Sequence, residues 1–346
     1  EVVIKPGENP AFPIIRQVIR HRKKNDPNRL NRFSTQTYTN ISTRFTNIKL
    51  SDIKSNLLKQ LQKYLPQQKN NSKIGFIPLF YSEKITDNFI DHKKNISQTH
   101  VIAFKENGLG LLKDLQISRY SNSLSTLMNF YDNYVDLFGH NFVSPVGGLG
   151  RQFYKYYLAD STLQDGRMIY TIKYVPKNDK DMAFKGKFVV IKDLWAIQAI
   201  EASLPRIANV NFLNKFDISY RYQILHDSIS FFKSNKITAT FNYNKLPNNH
   251  RSMLEVNKFT VYKNVKIGRA AHNLSPVPHG RITFKKQAES VSDTLFTQYT
   301  NYTQNASGKQ ISRSIDSINN IGWVRFLNKT TDMFVTEYYN VGKYEI

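Results

Sequence analysis

Apolar and polar residues alternate in one segment after another across residues 153–243. Tyr170, Ile172 and Tyr174, for example, alternate with a threonine and a lysine. Successive side chains on a β-strand point to opposite faces of a sheet, so each segment would have one buried face and one wet face. The pattern predicts a curved antiparallel sheet with an apolar inner side. Its strands are expected at residues 153–158, 168–174, 184–191, 195–204, 216–225 and 237–243.

The rest of the chain mixes helical and strand patterns. Apolar residues at helical spacing predict helices at residues 10–24, 51–65, 124–138 and 311–318. Alternation predicts further strands at residues 33–46, 74–81, 259–265 and 333–346. Pro78 has no backbone N–H, so we expect the second of these strands at an edge or a bend of the sheet. Residues 84–122 carry no clear pattern apart from a turn at Asn107-Gly108.

These elements divide the chain into three predicted parts. Residues 1–150 form a mixed helical and strand region, residues 151–270 an antiparallel half-barrel, and residues 271–346 a C-terminal segment. A length of 346 residues is enough for two or three folding units. The predicted fold class is α+β, with a curved antiparallel sheet, or incomplete β-barrel, and several covering helices. Because the chain begins with glutamate and shows no leader sequence, we expect a processed or partial chain.

The chain is strongly basic, with 49 Lys and Arg residues against 26 Asp and Glu residues and a formal net charge of +23. Clustered positive charge can bind nucleic-acid phosphates, can contact anionic lipid or an acidic partner, or can simply be solvated. The clusters fit no nucleic-acid module, so we rank a solvated surface first and nucleic acid last. A candidate contact surface lies on the first predicted helix and consists of Arg16, Arg20, Arg22, Lys23 and Lys24.

Catalytic and metal-binding motifs are missing from the sequence. It contains no H-E-x-x-H, G-x-S-x-G or P-loop motif, and its eight histidines are scattered. His226-Asp227-Ser228 places three triad residue types side by side, but adjacent residues cannot hydrogen-bond in the order that a triad needs. The absence of cysteine excludes disulfides and thiol chemistry, and no apolar run is long enough for a transmembrane helix. We therefore expect a non-enzymatic protein with no catalytic residues, no cofactor and no metal site.

Six residues of the alternating strands are candidates for lining a groove on the inner face of the sheet. They are Tyr170, Ile172, Tyr174, Phe188, Tyr220 and Tyr222. Two interpretations are open: a groove for an apolar guest, or an ordinary filled core. We favour the filled core, because small half-barrels usually pack their own side chains inside.

Several short motifs occur in an order that resembles a large uncharacterised family of Bacteroidetes-type outer-membrane proteins. They include E-V-V-I-K-P-G-E-N-P-A at residues 1–11, N-F-Y-D-N at 129–133, F-V-S-P at 142–145, Y-Y-L-A-D-S at 156–161 and N-V-N-F at 209–212. In that family a signal peptide and a small carboxypeptidase-regulatory-like β-sandwich precede such a region, and an outer-membrane β-barrel follows it. The resemblance implies a periplasmic middle portion of a larger protein, at the periplasmic face of the outer membrane. The name of the sandwich refers to its fold and implies no peptidase activity.

The alternating strands are also similar to the incomplete antiparallel barrel of LolA-type periplasmic lipoprotein carriers. Together the resemblances imply the non-enzymatic periplasmic part of an outer-membrane β-barrel protein, acting in envelope assembly or transport by binding protein or lipid. The alternative is a periplasmic lipid or lipoprotein carrier that uses an apolar groove. The expected partner is an outer-membrane or periplasmic protein complex, with lipid as a second candidate, while nucleic acid is not expected.

Overall fold

The computed structural model of the chain describes residues 7–49, 73–74, 76–108, 127–204, 213–226, 229–243, 252–271, 282–284, 294–300, 306–320, 340–341 and 344–345. Its helices are α1 (Ala11–Asn25), α2 (Gly150–Phe153), α3 (Thr294–Thr300) and α4 (Ala306–Asn319). Three pairs of short strands form small hairpins or ladders: β2 (Ile48–Lys49) with β3 (Lys73–Ile74), β6 (Tyr134–Leu137) with β7 (His140–Val143), and β16 (Asn340–Val341) with β17 (Tyr344–Glu345).

The other eleven described strands form one large sheet. They are β1 (Arg32–Thr46), β4 (Ile77–Asp91), β5 (Ile96–Gly108), β8 (Tyr154–Gln164), β9 (Arg167–Pro176), β10 (Lys185–Ile191), β11 (Ala196–Ser203), β12 (Leu213–Leu225), β13 (Ile229–Tyr243), β14 (Ser252–Ile267) and β15 (Ile282–Phe284). Their order across the sheet is β15-β5-β4-β1-β14-β13-β12-β11-β10-β9-β8. All neighbours are antiparallel except β15 and β5, which are parallel.

The sheet is therefore a meander, β8 to β14, extended on one side by three strands from earlier in the chain and by β15 from later in the chain. β1 pairs with β14, and β4 and β5 continue the sheet beyond β1. Among the described residues β8 and β15 end the sheet without pairing to each other, so the sheet is not closed. This mostly antiparallel, open sheet is compatible with an incomplete barrel.

Most elements predicted from periodicity are confirmed. Each of the six strands predicted in residues 153–243 is present, with β13 starting eight residues earlier than expected. The predicted strands at 33–46 and 259–265 are parts of β1 and β14, and the helices at 10–24 and 311–318 correspond to α1 and α4. The predicted helix at 51–65 lies outside the described residues, as does most of the predicted strand at 333–346.

The predicted helix at residues 124–138 is wrong over its described part. Residues 134–137 form strand β6, which pairs with β7 across a two-residue turn at Phe138 and Gly139. Both turn residues have positive φ, 53° and 77°, which matches the twist of a tight hairpin and favours glycine at the second position. Of the apolar residues that suggest a helix, Met128, Tyr131 and Val135 are buried and Leu127 is exposed, and they belong to an irregular segment and a hairpin rather than to one helical face.

The expectation that Pro78 marks an edge or a bend of the sheet is half right. β4 lies inside the sheet, between β5 and β1. Pro78 pairs with Arg44 where the β1–β4 register shifts between Thr43 and Arg44. At such a bulge the ladder is interrupted, so a residue without an N–H is tolerated inside a sheet. Residues 84–108, which show no clear pattern in the sequence, belong mainly to the long strands β4 and β5.

One face of the sheet, called the inner face here, is covered by α1 and by residues 127–149. Helix α1 buries Ala11, Ile14, Ile15 and Val18 and contacts β8, β11 and β13. It ends at Asn25 because Asp26, before Pro27, takes an extended conformation. Tyrosine hydroxyls tie residues 127–149 to the sheet, since the Tyr131 hydroxyl accepts a 2.9 Å hydrogen bond from the Ile197 N–H.

The opposite, outer face carries α3 over the β1 side of the sheet. Tyr38 of β1 stacks on Tyr299 of α3 with ring centroids 4.9 Å apart, and both are buried with Ile85, Ala103 and Phe296. Both faces of the sheet are therefore covered by other parts of the chain. Within the described ranges, no helix is long and apolar enough to cross a membrane.

Candidate functional site

The six residues predicted to line a groove lie on β9, β10 and β12. Five of them are at most 4% exposed, and Tyr170 is half-buried and stacked on Trp195 with ring centroids 6.4 Å apart. Tyr220 packs edge-on against Phe130 at 5.7 Å, and Tyr222 packs against Tyr131 at 5.9 Å. Tyr220 and Tyr222 therefore fill space beneath residues 127–149. Of the six, Tyr220 alone also borders the cavity described below.

The five basic residues of α1 are not gathered into a pocket. Arg16 forms an ion pair with Glu8, and the hydrogen bonds from its guanidinium lower the pKa of that carboxyl. Arg22 donates a 2.6 Å hydrogen bond to the side chain of Asn133. Arg20, Lys23 and Lys24 are exposed. Arg22, Lys23 and Lys24 lie in the last turn of α1, where positive charge also stabilises the helix through its dipole.

A cavity of about 290 Å³ opens on the inner face in front of β5, β4, β1, β14 and β13, which is near the lower end of the usual range for small-molecule sites. We call it the inner-face cavity. Its apolar and aromatic lining includes Phe33, Ile90, Phe231, Phe232, Ile237 and Tyr262. Its polar lining includes Thr35, Thr37, Thr39, Asn88, Thr99 and Thr260. The lining is therefore amphipathic, unlike the apolar groove that the sequence suggests.

Hydroxyl and amide groups on β1, β4 and β5 hold one another in place. Thr37 and Thr86 share a 2.6 Å hydrogen bond between their hydroxyls. The amide of Asn88 donates to the Thr37 hydroxyl at 3.2 Å and accepts from the Thr99 hydroxyl at 3.0 Å. Because these groups satisfy each other within the sheet, this part of the cavity is ordered before any ligand arrives.

One row of residues crosses five strands on the inner face. Each residue of this row is paired, in the strand register, with the next residue of the row on the neighbouring strand. We call it the polar row, and it consists of Tyr220, Asn235, Thr260, Thr39 and Lys84. Directly paired residues on one face have Cβ atoms about 5 Å apart. The first four members line the inner-face cavity.

Lys258 lines the same cavity and lies two residues before Thr260 on β14, on the same face of the sheet. It pairs with Ile41 on one side and Ile237 on the other, so its stem lies among aliphatic side chains. Burial disfavours its ammonium form, and the charge of Lys84 adds to this, so the pKa of Lys258 falls to about 8. A lysine in this position is a strong hydrogen-bond donor close to an apolar wall.

Asn235 adds a second polar group to the same patch. It is 4% exposed, and its Nδ2 donates a 3.2 Å hydrogen bond to the Tyr262 hydroxyl. Among the described residues its Oδ1 is buried and has no hydrogen-bond partner. A buried acceptor without a donor costs free energy. A ligand group that donates a hydrogen bond would remove this cost.

The sequence contains a signal for this site, but only in retrospect. Thr35, Thr37 and Thr39 alternate along β1 with Gln36 and Tyr38, so hydrophobicity does not tell the two faces of the strand apart. Threonine favours strands and also offers a hydroxyl to an inner face. A threonine period of two within a predicted strand would have indicated a polar patch inside the sheet.

Metal-ligating clusters do not occur in the part of the chain that the structure describes. No group of three or more His, Cys, Asp and Glu residues there could hold a metal ion. The described residues that line the inner-face cavity include one histidine, His92, and no aspartate or glutamate.

A model of a family described as a family of unknown function (DUF5686) matches residues 14–265. Among solved structures, the chain is similar to a DUF1329 family protein from Desulfovibrio piger, with 9% identity over 76% of this chain and 95% of that chain and a TM-score of 0.27. It is also similar to a LolA superfamily protein from Nitrosomonas europaea, with 9% identity over 77% of this chain and 94% of that chain and a TM-score of 0.23. No curated protein matches the sequence. These identities and TM-scores are low, so we infer function from the chain's own residues.

Proposed function

The chain belongs to the DUF5686 family of unknown function, and we propose that it is a non-enzymatic binding domain of the bacterial cell envelope. Its ligand would be an amphipathic molecule held in the inner-face cavity. The observation that supports this proposal is the uneven filling of the inner face. Residues 127–149 and α1 pack against the β8–β13 side, whereas a cavity of about 290 Å³ remains towards β1, β4 and β5.

The lining of the cavity supports binding rather than catalysis. General acid–base catalysis needs a titratable group within hydrogen-bond reach of the reacting atom, and nucleophilic catalysis needs a nucleophile beside a base. The lining includes the titratable residues His92, Lys258 and Tyr262, but its threonine and asparagine side chains on β1, β4 and β5 are hydrogen-bonded to one another. Such an arrangement holds a surface in shape, and an amphipathic surface suits a ligand that has one apolar end and one polar end.

We propose further that this domain is the periplasmic part of an outer-membrane protein, as its sequence resemblance implies, and that it works in envelope assembly or transport. The division into residues 1–150, 151–270 and 271–346 belongs to the same proposal. The full-length protein should then sediment with the outer membrane and bring a protein complex with it when isolated in a mild detergent. Recovery of the full-length protein in the soluble fraction would contradict this placement.

Native mass spectrometry of protein isolated from its own membrane tests the cavity directly. We expect an additional mass from a bound amphiphile that is released by collisional activation. Thr39→Phe would fill the cavity from its polar side and should abolish that mass. The matched control is Thr162→Phe, at an exposed position on β8 far from the cavity in the strand order. If the bound mass were absent from the unchanged protein, or survived in the Thr39→Phe variant, the cavity would not be the binding site.

A further inference from the structure

One end of the large sheet gathers several separate segments of the chain. Phe33, near the start of β1, pairs with Ile90 near the end of β4 and with Ile267 at the end of β14. In an antiparallel meander every second turn lies at the same end, so the β4–β5 and β10–β11 turns lie at this end as well. Helix α1 also ends here, since Asn25 donates a 3.0 Å hydrogen bond to the carbonyl of Leu194.

The segments at this end carry exposed positive charge, and we call it the basic end. Its exposed cationic side chains are Lys23, Lys24, Arg29, Lys93, Lys94, Lys192 and Arg269. None of these seven side chains forms an ion pair with a described residue. Ion pairs lie towards the opposite end instead, where they join Arg16 to Glu8, Arg44 to Glu255, Lys187 to Glu201 and Lys215 to Asp217.

The carboxylates near the basic end do not balance this charge. Asp26 accepts a hydrogen bond from the Asn28 N–H, and the buried Asp91 accepts one from the Lys94 N–H. The exposed carboxylates described there are Asp132, Asp165 and Asp193. Seven exposed cationic side chains therefore stand against three exposed carboxylates, and the basic end attracts anions at long range.

The inner-face cavity opens at the basic end. The exposed residues of its lining are Asn28, His92, Ser97 and Leu127. Asn28 lies in the segment before β1, while His92 and Ser97 flank the β4–β5 turn that carries Lys93 and Lys94. The mouth of the cavity is therefore surrounded by the same segments that carry the positive charge.

Two large apolar side chains are exposed in the same region. Leu127, at the mouth of the cavity, is 41% exposed, and Leu163, beside the β8–β9 turn, is 71% exposed. The register of Ile169 with Ile191 places the β8–β9 turn at the same end as the β10–β11 turn. Positive charge combined with exposed apolar side chains is typical of surfaces that bind the interface of an anionic membrane.

From this arrangement we propose that the basic end docks on a lipid bilayer containing anionic phospholipids, with the mouth of the cavity against the bilayer. The charges span six strand spacings between the β4–β5 and β10–β11 turns, about 29 Å along the sheet. Such a width suits an extended charged surface better than a single small anion. The docking does not depend on the proposed function, whereas passage of the amphiphile from the bilayer into the cavity rests on it.

Sedimentation of the full chain with lipid vesicles tests the docking. We expect the chain to bind phosphatidylcholine vesicles that contain about one-third phosphatidylglycerol, and to bind pure phosphatidylcholine vesicles far more weakly. A lysine close to an anionic membrane contributes about fivefold to affinity. A triple variant, Lys24→Gln, Lys93→Gln and Lys192→Gln, should therefore bind the anionic vesicles at least twentyfold more weakly.

The matched control replaces three exposed lysines outside the basic end and has the same net charge. It combines Lys173→Gln, Lys180→Gln and Lys185→Gln, and it should bind within about threefold of the unchanged chain, because salt screens charges that lie beyond about 8 Å from the membrane. Equal losses in the two triple variants, or no binding by the unchanged chain, would overturn the docking proposal. Polyglutamate that bound as tightly as the vesicles and through the same three lysines would assign the basic end to an acidic protein and would also overturn it.

A fluorescent label tests the orientation of the chain on the membrane. The sequence contains no cysteine, so a single introduced cysteine can be labelled with an environment-sensitive dye. The emission of a label at Leu163→Cys should rise severalfold when anionic vesicles are added, and that of a label at Lys180→Cys should not change. Equal responses at the two positions would contradict the orientation. Vesicle binding as expected, but with no amphiphile in the native mass spectrum, would refute the proposed function and leave the docking intact.

Discussion

Replacing Lys258 by methionine should make the protein more stable. Methionine keeps the length and much of the volume of the side chain but removes the charge that burial disfavours. The pKa of Lys258 is about 8, against 10.5 for an unperturbed lysine. At about 1.4 kcal/mol per pKa unit, this difference corresponds to about 3 kcal/mol of destabilisation when the group is protonated in both states. We expect a gain of between about 1 and 3 kcal/mol at pH 7, because the methionine also gives up the contacts of the ammonium.

The gain must depend on pH in one direction. Between pH 8 and 10.5 the unfolded chain binds more protons at this position than the native protein does, so the stability contribution of Lys258 rises with pH. Below pH 8 the destabilisation by Lys258 is fully present, and above 10.5 it has vanished. The advantage of the Lys258→Met variant should therefore be largest at pH 7 and fall below about 1 kcal/mol at pH 10.

Urea unfolding at both pH values measures this difference. With an m-value of about 3 kcal/mol/M, the gain at pH 7 would raise the urea midpoint by roughly 0.3 to 1 M. The exposed Lys173→Met variant corrects for loss of charge in general and should not shift the midpoint. A variant less stable than the unchanged chain at pH 7, or a gain of equal size at pH 10, would refute the assignment of Lys258 to a desolvated site. A stabilised variant that no longer binds the amphiphile of the inner-face cavity would show that the lysine serves binding at the expense of stability.

Two pairs of substitutions test the packing of the covered half of the sheet. Tyr131→Phe leaves the buried Ile197 N–H without its acceptor and should lower the free energy of unfolding by about 1–3 kcal/mol. Tyr222→Phe removes a hydroxyl that has no partner among the described residues and should be neutral or stabilising. Thermal unfolding of the two variants measures the difference. Gly186→Ala would place a Cβ 2.0 Å from a backbone oxygen of β11 and should lower the free energy of unfolding by at least about 2 kcal/mol. The Cβ of Gly148→Ala would meet mainly side-chain ends at 3.2 Å, so this variant should lose far less stability. Equal losses of stability in the two variants would count against this packing.

Periodicity predicts the strands of this fold well where one face is apolar and the other polar. From residue 153 onwards the alternation is clear, and the predicted strands match β9 to β12 closely, whereas β8 continues six residues beyond its predicted end. Most of β4 and all of β5 escape detection because polar residues such as Asn88 and Thr99 share the inner face with apolar ones, so neither face has a clear apolar period. The helix expected at 124–138 fails for a different reason, since Met128, Tyr131 and Val135 are buried by tertiary packing without sharing one helical face.

The cavity cannot be read from the sequence because no single segment contains it. Lys258, Thr260 and Asn235 acquire their roles only when β13, β14 and β1 are in register. Their burial, their charge environment and the missing partner of Asn235 are properties of the assembled sheet. The buried residues on β9, β10 and β12 can be predicted from the sequence, because an apolar period of two is sufficient to identify them.

The pairing of β1 with β14 joins residues that are more than 200 positions apart in the chain, such as Thr39 and Thr260. Contacts of such sequence separation form late and slowly during folding, because a long loop must close before they gain any stability. The two sides of the cavity therefore meet only after residue 260 has been synthesised and β1 has docked. A ligand that requires both sides cannot bind a nascent or half-folded chain. Ligand binding would then report that folding is complete, and the binding free energy would stabilise the last step of folding in particular.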